Sequence, residues 1–172
     1  MNNFYIKKSA LLYLFSLLIL PSCEDDTNEN NNIIIQDSTT FVICEGNFLN
    51  ENSSLWSFTP SDSKSISGPI FQNITDTPLG DNGQSLNYYE GKLYIIVSNS
   101  HKIEILDVDE NVSYYSTINL DNAQPRHLAL NNGFGFLSCM NLNAILVIDM
   151  SDFSVKDTIN IEGRPDHIVS FE

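Results

Sequence analysis

An all-β chain, built from repeats of one four-stranded antiparallel unit, is what the sequence predicts, and three observations predict it. The first is an internal repeat: residues 84–108 lie over residues 126–150 at a constant offset of 42 without a gap. Leu86 falls on Leu128, Gly91 on Gly133, Asn99 on Asn141, Ile103 on Ile145 and Asp107 on Asp149. One residue is then dropped, and Thr117-Ile118-Asn119-Leu120 matches Thr158-Ile159-Asn160-Ile161. A third copy opens at Pro165-Asp166-His167-Ile168, matching Pro125-Arg126-His127-Leu128. The second observation is residue type: β-branched and aromatic residues come in short runs bounded by Gly, Asn and Asp. The third is that no window beyond the N-terminal apolar stretch sustains a helical period. A period of about 40–45 residues carrying four short strands is the signature of a β-propeller blade. Residues 40–172 are therefore read as a partial β-propeller of about three blades.

In chain order, residues 40–47 supply a second strand, 54–58 a third, and 65–71 an outer strand lengthened by Gly68-Pro69. The first blade thus lacks its inner strand. Blade two is the cleanest, with strands at 84–89, 92–98, 102–108 and 114–120, and turns at Glu90-Gly91 and Asp109-Glu110-Asn111. Within its third strand Ile103 and Ile105 alternate against Glu104, and Leu106 starts a fully buried end. Blade three repeats this at 126–130, 135–139, 144–150 and 155–161. The last residues, Phe171-Glu172, fall inside the inner strand of a fourth blade. Propellers close with at least four blades, so the chain reads as the front of a longer, truncated protein, with an open arc or self-association into a ring as the alternative.

The N-terminus carries a different signal. Lys7 and Lys8 precede a short apolar run at 9–20, followed by Leu20-Pro21-Ser22-Cys23. That run is too short to cross a bilayer core of about 30 Å as a helix, so residues 1–22 are read as a secretory signal peptide. The segment resembles a bacterial lipoprotein signal, in which Cys23 becomes the lipidated first residue. Glu24-Asp25-Asp26 looks like the surface-export signal of lipoproteins from gut-type Gram-negative bacteria. Residues 23–39, with Asn28-Glu29-Asn30-Asn31-Asn32, read as a solvated tether. The resemblance implies a lipid-anchored outer-membrane protein exposed at the cell surface. Removing residues 1–22 takes the formal charge from −14 to −16, because two lysines and no acid are lost. So acidic a surface repels phosphate backbones, which disfavours nucleic acid as a partner.

Cys44 and Cys139 occupy the same position in blades one and three, since Phe41-Val42-Ile43-Cys44 matches Phe136-Leu137-Ser138-Cys139. A whole blade separates them, whereas a disulfide needs Cα atoms within about 7 Å. Both are read as small buried hydrophobes.

Phe41-Val42-Ile43-Cys44-Glu45-Gly46-Asn47-Phe48, followed by Ser54-Leu55-Trp56-Ser57-Phe58, resembles the opening of a group of surface lipoproteins with a seven-bladed propeller. They belong to the YncE-like (WD40/YVTN-type) class. Pro78-Leu79-Gly80-Asp81-Asn82-Gly83-Gln84-Ser85 looks like their next signature. The best understood members capture cobalamin at the outer membrane and hand it to a TonB-dependent transporter. The resemblance therefore implies capture of a small nutrient ligand, such as a corrinoid, with a TonB-dependent transporter as partner, no cofactor and no catalysis.

A propeller binds ligands through its loops. Here the connections at 78–84, 121–126 and 162–166 should meet those at 46–53, 98–102 and 140–143 on one face. Gln84, Arg126, His127, Arg164, Asp166, His167 and Asp81 are expected to converge at one mouth of the channel and grip an amide-rich ligand, with Phe48 as an apolar contact. Taken singly, Arg, Asp and His at these positions tie one blade to the next; the face as a whole reads as a binding surface. Asn47, Asn99 and Asn141 recur at one turn and are read as turn formers. Asp107-Val108-Asp109-Glu110-Asn111 lacks the glycine and distal glutamate of a calcium loop. His101, His127 and His167 are not spaced as a zinc set, although the last two are equivalent positions in adjacent blades, and no metal ligands are assigned. Nucleophile elbows, H-E-x-x-H and phosphate-cradling glycine loops do not occur. A propeller hydrolase or lactonase, or a surface adhesion or scaffold protein, remain the other readings.

Overall fold

Runs of five to seven residues rich in Val, Ile, Leu, Phe and Tyr form the strands, and Gly, Asn or Asp closes most of them. The structure, a computed structural model, describes residues 38–171. The expected signal segment 1–22, lipidation at Cys23 and most of the 23–39 tether lie outside the described residues. Strands β1 (Thr40–Cys44), β2 (Ser54–Thr59) and β3 (Asp62–Ser67) make a three-stranded antiparallel sheet. A short helix, α1 (Ile70–Thr75), follows. Strands β4 (Gly83–Tyr89), β5 (Lys92–Val97), β6 (Lys102–Asp107) and β7 (Ser113–Asn119) form a four-stranded antiparallel meander. Strands β8 (Pro125–Asn131), β9 (Phe134–Cys139), β10 (Ala144–Asp149) and β11 (Val155–Asn160) form another. The all-β propeller segment is present, and among the described residues blade one has no inner strand.

The repeat has a physical origin in the register. The pairing of β6 with β7 slips after Ile105, and that of β10 with β11 slips after the equivalent Val147. Leu106 faces Tyr114 whereas Ile148 faces Val155, so the dropped residue lies in the turn between third and outer strands. A bulge conserves the strand beyond it, and the turn absorbs the deletion.

Blade two is buried on both faces, which explains why β5 is apolar along almost its whole length. Tyr94 and Ile96 of β5 join Ile103, Ile105 and Ile118 in a core shared with Leu128, Leu137, Leu146 and Ile148 of blade three. Leu93, Ile95 and Val97 point the other way and pack with Leu55, Ile70, Phe71 and Leu79. Each such side chain withdrawn fully from water stabilises by about 1.5–3 kcal/mol. The alternation of β6 is kept, with Ile103 and Ile105 in one core, but the same two-sided burial covers its other face too. Glu104 is buried beside Ile103 and Ile105, held by Lys102 Nζ at 2.5 Å and by the Thr117 hydroxyl.

Three expectations are corrected. The outer strand of blade one does not run through 65–71: it ends at Ser67, and Phe71 lies in α1. Pro69 has no N–H for a sheet ladder and instead starts the helix. Asp76, with φ 55°, ends it by donating its N–H to Gln72 O. Cys44 is exposed, not buried like Cys139, because among the described residues no strand pairs with the outer edge of β1; both thiols are free. Finally, residues 161–171 form no strand, since no second strand within the described chain pairs with them.

Candidate functional site

Antiparallel order brings the starts of β4 and β8 to the same end of the sheets as the ends of β5 and β9. Backbone bonds stitch the neighbouring connections there. Gly83 N donates to Glu45 O, Ser53 N to Gly80 O, Asn99 N to Asp81 O and Asn141 N to Ala123 O. A Cβ at Gly83 would lie 2.7 Å from Ile43 Cδ1, so a larger residue there has to displace that side chain.

Asp81 is a brace within this network. It is 4% exposed, its two carboxylate oxygens accept from Leu49 N at 3.0 and 2.9 Å, and Asn99 Nδ2 donates to one of them. Its own N–H goes to Ser100 Oγ at 2.8 Å. A cleft of about 450 Å³ opens beside it, lined by Leu49, Glu51, Pro78, Ser100 and Lys102 among others. Phe48 stands 61% exposed in the same loop, open to an apolar partner. Asn99 and Asn141 lie in turns, as expected, and their side chains reach Asp81 and Asn122 across the loops.

The convergence expected of the remaining polar residues is real for four of them. Arg126 and His127 lie at the start of β8, and the strandless segment after β11 sets Asp166 and His167 against them. Arg126 Nε donates to Asp166 Oδ1 at 2.8 Å. His127 Nε2 lies 3.7 Å from that oxygen, and His167 Nε2 lies 3.9 Å from Oδ2. The two imidazole rings stack with centroids 3.9 Å apart. Arg126's hydrogen bond holds the Asp166 carboxyl below its ordinary range. Burial, then His167, push the His127 imidazole below its ordinary value against the opposing pull of Asp166. Gln84 is half-buried at the head of β4, next to Ser85, whose hydroxyl donates to Arg126 O at 2.7 Å. Arg164 is exposed. Asp81 bonds within its own loop network instead.

Ser138 was missed by sequence reasoning. Fully buried at the end of β9, its hydroxyl accepts from His127 N at 3.0 Å and faces the carbonyl oxygens of both His127 and Asp166. The signal was available in the repeat, because blade two has the apolar Ile96 at this position. His101 is also structural: its Nδ1 accepts from Gln124 N at 3.0 Å.

Fold and site together define a propeller-type segment with a polar four-residue cluster at one end of its inner strands. No protein-family model matches the chain, and no curated protein matches it. Among solved structures it is similar to apo AztD from Citrobacter koseri, at 17% identity and a TM-score of 0.44. It is also similar to a crystal structure of AztD from the same organism, at 19% identity and a TM-score of 0.45. Each match covers 67% of this chain, which spans 31% of either structure. Likeness at that level leaves the fold to rest on the sheets themselves.

Proposed function

We infer that the protein captures a bulky nutrient ligand, a corrinoid such as cobalamin, without changing it chemically, and delivers it to a TonB-dependent outer-membrane transporter. The observation that carries this reading is the gathering of Arg126, His127, Asp166 and His167 at one end of the inner strands. Gln84 opens the neighbouring inner strand, and exposed Phe48 supplies apolar surface on an adjoining loop. A corrin ring edged with amides suits such a set of donors and acceptors. The acidic chain and the lipoprotein-like start at Cys23 suit a protein that concentrates its ligand at the cell surface.

Calorimetry with cobalamin on the full-length protein tests the reading, with the absorption spectrum recorded alongside. Heat of binding with unaltered ligand recovered afterwards is the expected result. Arg126→Ala is expected to weaken binding by about 1–3 kcal/mol, through loss of a charge-assisted donor. No heat and no spectral shift would remove the corrinoid assignment and leave the fold standing. Anchoring is checked by intact mass of membrane-extracted protein, which should begin at an acylated Cys23. Unmodified protein that retains Met1 would contradict it.

A further inference from the structure

We propose that His127, Asp166 and His167 form a binding site for a divalent late transition-metal cation, of the imidazole-favouring kind that zinc typifies. This goes beyond ligand capture and does not rest on it. One ligand atom from each residue lies within 4.8 Å of the other two. A tetrahedral cation with donors at about 2.0–2.2 Å spaces them about 3.3–3.5 Å apart. His167 Nε2 lies 3.9 Å from Asp166 Oδ2, near that spacing, whereas His127 Nε2 is nearest the other carboxylate oxygen, Oδ1, at 3.7 Å. The required contraction falls on a mobile partner, because the His167 side chain is 81% exposed and can swing inward.

Three features make the set more than a chance grouping. His127 Nε2 is buried and has no hydrogen-bond partner, an unusual state for an imidazole nitrogen that a metal would relieve. The Ser138 hydroxyl bridges the backbones of His127 and Asp166, so two of the three donors are held in place from behind. Arg126 occupies Asp166 Oδ1 and leaves Oδ2, the oxygen nearer His167, for the cation. The guanidinium also repels a cation, so affinity is set by the two imidazoles. Two histidines and one carboxylate leave a fourth position for water or an exchanging ligand. His127 and His167 occupy equivalent positions in successive repeats, so duplication of one strand start supplies both imidazoles.

The test is Zn²⁺ competition against a chromophoric chelator, using the full chain with Cys23→Ser and Cys44→Ser to remove two competing thiols. One equivalent should bind, and His167→Ala should weaken it at least about tenfold. That substitution lies on an exposed side chain, so the fold is retained. Mg²⁺ should not compete, because it prefers oxygen donors. In parallel, paramagnetic Co²⁺ should broaden the NMR signals of His127 and His167 and leave His101 sharp. Absence of stoichiometric binding, unchanged affinity in His167→Ala, or broadening centred on His101 would each overturn the proposal.

Discussion

Ser138 shows how much one buried hydroxyl can organise. It satisfies His127 N–H and reaches the carbonyl of Asp166, joining β8 to a segment that has no sheet partner. Ser138→Ala leaves that N–H buried and unpaired, and is expected to destabilise by about 1–3 kcal/mol in urea unfolding. Its position was legible as a break in the repeat, but its partners were not, because 28 residues separate it from Asp166. Asp81 gives the converse lesson: loop position suggested a ligand contact, whereas burial and the bonds to Leu49 and Asn99 make it a brace. The cysteines differ for a similar reason. Cys139 is fully buried, with its thiol pushed up to about 12 by burial, while Cys44 sits on the edge strand of a three-stranded sheet. A thiol reagent applied to the folded Cys23→Ser protein at mild alkaline pH should label Cys44 alone. Labelling of Cys139 before unfolding would contradict the two-sided core.

Among the elements, the repeat located strands to within a residue or two wherever two copies could be compared. It failed at α1, which has no counterpart in the other blades. At six residues α1 is too short to show an amphipathic period, and Ile70 and Phe71 bury equally well in strand or helix. The opening of blade four also failed, since an inner strand needs a neighbour to pair with, which sequence alone does not reveal. The turn joining β10 to β11 carries its own acid sensitivity. Ser154 donates to Asp152 from both hydroxyl and backbone, and Lys156 adds an ion pair, holding the Asp152 carboxyl down from 3.8 to about 2. A carboxyl depressed by folding stabilises in full above its unfolded value and loses that contribution as pH falls through its folded value. Protection of the Ser154 amide, measured against its intrinsic exchange rate at each pH, should therefore persist through mild acid and fall as pH approaches about 2. Asp152→Asn should remove this pH dependence; fast exchange at every pH in the unsubstituted protein would refute the turn's role.

For the molecule as a whole, stability is concentrated in the middle blade. Its two faces feed two cores, whereas β11 is exposed along its length, with Val155 and Ile159 each 46% exposed. Ile96→Ala should cost about 2–5 kcal/mol in denaturant unfolding. Ile159→Ala, on the open outer strand, should stay within about 0.5 kcal/mol. Equal costs would mean that the blades are not packed as described. The same arrangement explains how far the site could be read in advance. Repetition put His127 and His167 at equivalent strand starts, but only the packing of residues 161–171 against β8 brings both rings around Asp166. If this cluster holds the ligand as proposed, imidazole-resolved NMR during a cobalamin titration reads it at the two rings themselves. The His127 and His167 signals should shift on addition of ligand while that of His101, bonded to Gln124 N, does not. Unmoved His127 and His167 signals under saturating ligand would contradict that placement.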